Sequence, residues 1–388
     1  MAEDKKEQKK VKELEKKMDS FLSDYLLKGS KNVDGKIQTP RYETGILLLD
    51  ALTGGGFPKG HFISIGAEPG VGKTTVIVDA CGHVARGCPE RDIYYIDIEG
   101  GATPELISSM GYLDVLNTED NPTGNFYLIK GMQTIQEIAK LLKMAKELDN
   151  TSIIVIDSDT MVADQIVLDK DDLGTSNEAI GTNARMWSKN ANTMLATVRN
   201  SEMCVVLVHQ ARTKFKGGGF VTTVESAGGN AAKHLSSVDM WGSRAGWIGP
   251  DGDLINKRAE AVGCLINLTT IKNRLTTPFK RVQIPIYFGK GVDNSWAYGG
   301  WLQSHGETDP VTGEFIPYLE VKGGGYNTFY LPFAYGEKVR GSQAVRDFIK
   351  ENEEAITEFI KNHGSLEAEA ASEDEIIEDI VGVKPSIE

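Results

Sequence analysis

Cysteine is scarce in this chain of 388 residues: Cys81, Cys88, Cys204 and Cys264 are scattered, without the close pairs that a zinc site needs. Three of them lie in or beside apolar runs, so reduced and mostly buried thiols are expected. No uncharged apolar run approaches the length of a membrane span. The opening MAEDKKEQKKVKELEKK is charged where a signal peptide requires an apolar core. The expected location is therefore the cytoplasm, with no membrane partner. No internal repeat is visible. Positive charge is also in deficit, and the net charge of −13 argues, as a total, against a nucleic-acid partner. The distribution says otherwise. Residues 364–388 hold eight acidic groups (Glu367, Glu369, Glu373, Asp374, Glu375, Glu378, Asp379, Glu388) against Lys384 alone, the composition of a disordered tail. Residues 203–224 carry Arg212, Lys214 and Lys216 with no acidic residue.

What is present suits a large core. Apolar residues make up 40% and charged ones 25%, and the length favours one large domain with appendages. Residues 1–28 read as a Lys/Glu-rich helix with Val11, Leu14, Met18, Phe21 and Tyr25 on one stripe, suited to docking on a neighbouring subunit or on its own core. Gly29 to Pro40 reads as a linker. From there to about residue 294, strand-like runs (Ile93–Ile98, Ile153–Ile156, Val205–Val208, Leu265–Ile271, Val282–Phe288) alternate first with helical stretches and later crowd together. That order predicts an α/β fold whose mainly parallel sheet gains antiparallel strands at one edge. Gly-rich, aromatic residues 299–341 and helical residues 342–363 predict a small C-terminal domain. The expected divisions are 1–38 (helix and linker), 39–294 (core), 295–363 (C-terminal domain) and 364–388 (tail).

The densest chemical signal is Ala67-Glu68-Pro69-Gly70-Val71-Gly72-Lys73-Thr74, between the strand-like Phe62-Ile63-Ser64-Ile65 and the helical Thr75-Val76-Ile77-Val78. It reads as a phosphate-binding loop. Gly70 and Gly72 let backbone N–H groups approach phosphates, Lys73 can reach the β- and γ-phosphates, and Thr74 can ligate Mg²⁺. Ala67 stands where a glycine is more usual.

Three strand ends add to it. Tyr95-Ile96-Asp97-Ile98-Glu99 ends in a carboxylate that could orient and deprotonate an attacking water, although a merely solvated carboxylate fits the same pattern. Ile153-Ile154-Val155-Ile156-Asp157 ends in an acid suited to holding Mg²⁺ through its water shell. Val205-Val206-Leu207-Val208-His209-Gln210 ends in an amide that can bond a γ-phosphate, joined to the basic, glycine-rich loop from Arg212 to Phe220. Arg212, Lys214, Lys216 and Phe220 suit a segment that tracks a phosphate backbone and stacks on bases. A plain surface loop has the same composition. Lys272 and Arg274, two apart on a strand-like run, would present paired cations on one face, to a partner's triphosphate or to carboxylates of their own subunit.

In this order the segments resemble the RecA family of homologous recombinases, including bacteriophage UvsX relatives. Thr44-Gly45-Ile46 through Leu49-Asp50 and Gly54-Gly55-Gly56-Phe57-Pro58-Lys59-Gly60 resemble the family's lead-in. Asp97-Ile98-Glu99, Thr103-Pro104 and Met110-Gly111 are similar to the segment bearing its catalytic glutamate. Gln210-Ala211-Arg212-Thr213-Lys214 and Gly228-Gly229-Asn230-Ala231 resemble the borders of its second DNA loop. Asp169 to Gly181 falls where the first loop belongs, and Val262-Gly263 with Lys272-Asn273-Arg274 through Pro278-Phe279-Lys280 resembles the segment whose cations reach the adjacent subunit's nucleotide. The likeness covers about residues 10–294 and reappears from Gly336 to Asn352. Leu106 stands where many relatives stack a tyrosine on adenine, Asn192 where bacterial members carry a DNA-contacting arginine, and residues 296–330 depart from the usual C-terminal domain.

The resemblance implies a RecA-type P-loop ATPase core with an N-terminal helix and a small C-terminal α+β domain. It implies ATP and Mg²⁺ as cofactors, with Ala67 to Thr75 and Asp157 binding them and Thr74 and Asp157 serving the metal. Glu99, Lys73, Gln210, Lys272 and Arg274 become the catalytic set, and Arg185, Arg212, Lys214, Lys216, Phe220, Gly228, Gly229 and Asn230 the DNA-binding set. The implied activity is recombination and repair in a bacterial or phage-infected cell: a helical filament on single-stranded DNA that pairs it with homologous duplex DNA. Single-strand-binding and mediator proteins are the further partners. A branch-migration ATPase of the RadA/Sms type, whose Cys-rich zinc module is absent, a ring helicase, and a nucleotide-switched assembly protein are the other readings.

Overall fold

The computed structural model describes residues 12, 16–18, 30–31, 37–164, 182–215, 222–226, 235–322, 326–372 and 375. The strands that organise the fold are β1 (Phe62–Ala67), β2 (Asp92–Asp97), β3 (Phe126–Ile129), β4 (Thr151–Asp157), β5 (Cys204–Phe215), β6 (Val238–Ile248), β7 (Gly263–Asn273), β8 (Lys280–Tyr287) and β9 (Gly291–Val292). They stand side by side in the order β9-β8-β7-β6-β1-β5-β4-β2-β3. Every pairing from β6 across to β3 is parallel, whereas β6-β7, β7-β8 and β8-β9 are antiparallel. The predicted mainly parallel sheet with antiparallel strands at one edge is what the chain builds.

Side-chain alternation explains why this sheet is covered on both faces. In the fully buried β4, Ile153 and Val155 join one apolar cluster and Ile154 and Ile156 the other. The first cluster packs under helices α1 (Leu47–Thr53), α2 (Lys73–Gly87) and α3 (Pro104–Ser109), and the second under α4 (Ile135–Leu148) and α5 (Thr182–Arg199). Local chemistry sets the ends of these helices. Thr134 and Glu137 form a reciprocal capping box on α4, and Thr103 caps α3 ahead of Pro104.

A third apolar cluster lies beyond the sheet, built by Tyr298, Trp301 and Leu302 of α6 (Ser295–Ser304) with residues of α7 (Ser342–Glu351) and α8 (Glu353–His363). Leu319 of β10 (Leu319–Glu320), Phe329 and Leu331 of β11 (Tyr326–Leu331) and Val339 of β12 (Ala334–Arg340), strands that pair antiparallel, complete it.

Lys12 and residues 16–18 are helical and exposed; the remaining stripe positions lie outside the described residues. Within the expected linker, Ser30–Lys31 pairs with Ile37–Gln38. The expected disordered tail is corrected in its first part. Leu366 packs on the third cluster, Ala368 is buried, β13 (Glu369–Ala370) adds an antiparallel edge to β8, and Glu375 meets Arg281 at 2.7 Å. The reason is visible in the residues: Leu366, Ala368 and Ala370 alternate with acids, a half-buried strand pattern inside an acidic composition.

Candidate functional site

The C-terminal ends of the parallel strands converge. Asp97 lies beside Asp157 in register, Ala67 beside Gln210, and Gly66 beside His209. In such a sheet this is the ligand edge. The loop 68–72 leaves β1 here and enters α2 at Lys73. Gly72 holds φ at 122°, so its backbone requires glycine; a Cβ there would meet only the flexible end of a side chain, Ile286 Cδ1 at 2.6 Å. Gly70, at φ 73°, needs glycine for its backbone alone. Glu68, Pro69 and Gly70 are exposed, Val71 is buried, and Thr74 and Thr75 are half-buried.

Lys73 is folded back onto the loop, donating from Nζ to the carbonyls of Ala67 at 2.9 Å and Glu68 at 3.1 Å. Burial pulls its pKa below the usual value, opposed by the carboxylates of Asp157, Glu99 and Glu68. A triphosphate would replace those carbonyls with stronger acceptors.

Asp157 is fully buried, and burial raises its pKa against hydrogen bonds from Tyr95 and Thr74. Its Oδ2 accepts from the Tyr95 hydroxyl at 2.6 Å and from Thr74 Oγ1 at 3.0 Å, while Oδ1 has no hydrogen-bond partner. An orphaned buried carboxylate oxygen beside a hydroxyl at the first turn of a helix fits a hydrated Mg²⁺. Among the described residues no cluster of three metal-type side chains occurs, so such a cation would take most of its oxygens from nucleotide and water.

Glu99 is exposed on the turn after β2 and donates its backbone N–H to the Asp157 carbonyl at 3.1 Å. Asp97 shapes that turn, its Oδ1 accepting from the backbone N–H groups of Gly100 and Gly101 at 2.9 and 3.0 Å. The sheet therefore brings Lys73, Thr74, Glu99, Asp157 and Gln210 to one edge.

Lys272 and Arg274 are elsewhere. Lys272 on β7 faces Asp239 on β6, which is level with Ser64, whereas Ala67 is level with Gly242. Lys272 thus lies about 10 Å back along the strands and about 10 Å across them from the start of the phosphate loop, and Arg274, past the end of β7 with its backbone N–H on the Ser237 carbonyl, lies farther back still. That is farther than either side chain extends. Burial and neighbouring Arg274 lower the Lys272 pKa, while Asp239 raises it. Arg274 is exposed.

Of the expected DNA-contacting set, Arg185 is exposed on α5. Arg212 and Lys214 lie in β5, whose end pairs antiparallel with Thr222–Ser226. Lys216, Phe220, Gly228, Gly229, Asn230 and all of Asp169–Gly181 lie outside the described residues. Two contacts escaped the sequence reading. Tyr95 had a signal, since a tyrosine inside a buried strand needs a partner for its hydroxyl. Arg244, which donates to the Gly70 carbonyl in the phosphate loop and stacks over Trp247 at 4.1 Å, had none.

A family model described as the RecA N-terminal domain matches residues 6–293. Protein RecA of Halalkalibacterium halodurans is 27% identical over 360 residues, covering 90% of this chain and 91% of its own. Protein RecA of Bacillus cereus is 26% identical over 371 residues, covering 94% of each. A crystal structure of the RadB recombinase aligns with 65% of this chain and 98% of its own at a TM-score of 0.44 and 18% identity.

Proposed function

The chain belongs to the RecA family, and on that premise we propose that it is an ATP-dependent, DNA-stimulated recombinase. It polymerises on single-stranded DNA as a helical filament, pairs that strand with homologous duplex and exchanges strands in recombination and repair in the cytoplasm. Base pairing selects the sequence and the protein holds mainly backbone.

Within one subunit, the backbone N–H groups of the phosphate loop and Lys73 hold the β- and γ-phosphates. Thr74 and Asp157 would hold Mg²⁺, which when bound offsets charge on the phosphate oxygens. Glu99 orients and deprotonates the attacking water, and Gln210 bonds the γ-phosphate. Lys272 and Arg274 act on the nucleotide of the neighbouring copy. Arg185, the basic loop with Arg212, Lys214, Lys216 and Phe220, and the border Gly228-Gly229-Asn230 hold DNA. The proposed divisions are an N-terminal polymerisation arm to residue 38, the core to 294, the C-terminal domain to 363, and an acidic segment whose first part is docked.

The observation that carries the reading is the separation within the sheet: Lys73, Thr74, Glu99, Asp157 and Gln210 gather at one edge, while Lys272 and Arg274 sit too far away to serve the same nucleotide. A site divided in that way works only between copies.

ATP hydrolysis with and without single-stranded DNA, together with negative-stain images at saturating ATP, tests it. DNA-stimulated turnover and helical filaments are expected. Closed rings would instead indicate a helicase, and DNA-independent turnover by a monomer would indicate a nucleotide-switched assembly protein.

A further inference from the structure

Just past the phosphate edge, the backbone pairing of β4 with β5 ends at Asp157 and Val208. The two chains then continue as Ser158-Asp159 and His209-Gln210. Where the ladder stops, side chains take over: His209 Nδ1 stands 2.7 Å from Asp159 Oδ1, and both residues are fully buried. A third element joins them. Trp187 of α5, also fully buried, donates from Nε1 to the Asp159 carbonyl at 3.3 Å.

The position of this cluster is informative. Asp159 opens the short 3₁₀ turn Asp159–Met161 after β4, and the chain beyond is pinned to α4's entry by the bonds between Ala163 and residues 133 and 135. It then leads into residues 165–181, and α5 follows them. His209 precedes Gln210, and β5 leads into residues 216–221. The cluster therefore sits at the roots of both candidate DNA loops, two residues from the carboxylate that meets Thr74 and one from the amide level with Ala67.

For packing alone, a buried acid and imidazole are a poor choice, because an apolar pair of similar volume serves at least as well. The imidazole and the carboxylate lie at ion-pair distance without meeting hydrogen-bond geometry, and a shift of either strand end would part them where both are shut off from water.

We propose that Asp159, His209 and Trp187 are positioning residues that form a strut between β4, β5 and α5, making both loops respond together to nucleotide at the phosphate edge. This rests on the reading of residues 165–181 and the 212–230 region as DNA-contacting loops.

The test is the coupling between ligands in the full-length protein. ATP affinity is measured with Mg²⁺ in the presence and absence of a single-stranded oligonucleotide, and the ratio is the coupling factor. In the unaltered protein the factor should fall in the range of about 5- to 150-fold usual for linked sites. The apolar pair Asp159→Val, His209→Leu should bring it close to one, with DNA-free ATP affinity and melting temperature nearly unchanged. Trp187→Phe, which keeps the ring and loses the donor, should lower it in part.

Normal coupling in a folded apolar-pair variant would overturn the strut. So would a loss of DNA-free ATP affinity that matches the loss of coupling, which is the mark of simple structural support. If the apolar pair does not fold, Trp187→Phe decides: reduced coupling supports the strut and normal coupling overturns it. A factor of one in the unaltered protein would instead remove the DNA-coupled ATPase reading, and the strut with it.

Discussion

Tyr95 reaches Asp157 through its hydroxyl, 2.6 Å from Oδ2, on the oxygen that also accepts from Thr74. With the bond from Thr74 it occupies Oδ2, while Oδ1, also buried, has no hydrogen-bond partner. If Thr74 turns to ligate the cation directly, Tyr95 alone holds the carboxylate in place. Tyr95→Phe keeps the ring in the core, so the fold should persist. Outer partners of metal ligands typically contribute 10- to 100-fold in affinity, and the Mg²⁺ concentration for half-maximal ATP binding should rise by about tenfold. A Mg²⁺ titration that superimposes on that of the unaltered protein would show that the contact serves packing only.

Asp50, within the lead-in to the phosphate loop, gives a pH-dependent test away from the nucleotide. Burial pushes its carboxyl up to about 6 from the usual 3.8, against hydrogen bonds from the Thr44 hydroxyl and backbone N–H. The folded value lies above the unfolded one, so the folded chain binds the extra proton between about pH 4 and 6. Its stabilising effect is therefore present at low pH and lost as pH rises through about 6. The difference of about 2 in pKa corresponds to about 3 kcal/mol. Asp50→Asn should gain stability relative to the unaltered protein by up to that amount between pH 4 and 7, measured by urea unfolding. A difference that stays constant with pH would mean that Asp50 keeps its ordinary pKa.

The phosphate loop was legible because its chemistry is contiguous: backbone, lysine and threonine lie within one turn of chain. Asp157 and Gln210 were legible because each ends an apolar run, and a parallel sheet brings such ends together. The remoteness of Lys272 and Arg274 was not legible. It depends on the register of β7 on β6 and of β6 on β1, which no local pattern encodes. The docked tail failed for another reason: eight acids in the composition masked a short alternating segment.

That docked segment predicts different outcomes for two truncations. Ending the chain at Gly364 removes the Ser365 carbonyl that accepts from Trp301 Nε1 at 3.2 Å, the burial of Ala368, the edge strand β13 and the Arg281–Glu375 ion pair. The melting temperature should fall by at least about 2 °C, the scale of 1 kcal/mol in a domain of this size. Ending it after Glu375 keeps those contacts and removes Glu378, Asp379 and Glu388, so stability should hold while duplex binding at low salt strengthens. Equal melting temperatures for the two truncations would show that β13 contributes nothing to the fold.

The separation of Lys272 and Arg274 from their own phosphate loop leads to the most particular test. Lys272→Ala, Arg274→Ala should still bind ATP as a monomer, because the loop, Thr74 and Asp157 are untouched. It should lose ATP-induced filament assembly and DNA-stimulated hydrolysis. Glu99→Gln should do the reverse: assemble and bind DNA with ATP, yet turn over about a hundredfold or more slowly, the scale of a lost general base. Mixing the cation-deficient protein with a Glu99→Ala protein should recover part of the activity, since one class of mixed interface pairs an intact Glu99 with an intact Lys272 and Arg274. The competing reading is that Lys272 serves only to balance Asp239 on the facing strand, whose carboxylate draws on it from β6. In that case the double variant would lose stability rather than assembly, and the mixture would recover nothing. Normal filaments from the double variant at saturating ATP, seen by sedimentation and microscopy, would rule out a bridging role.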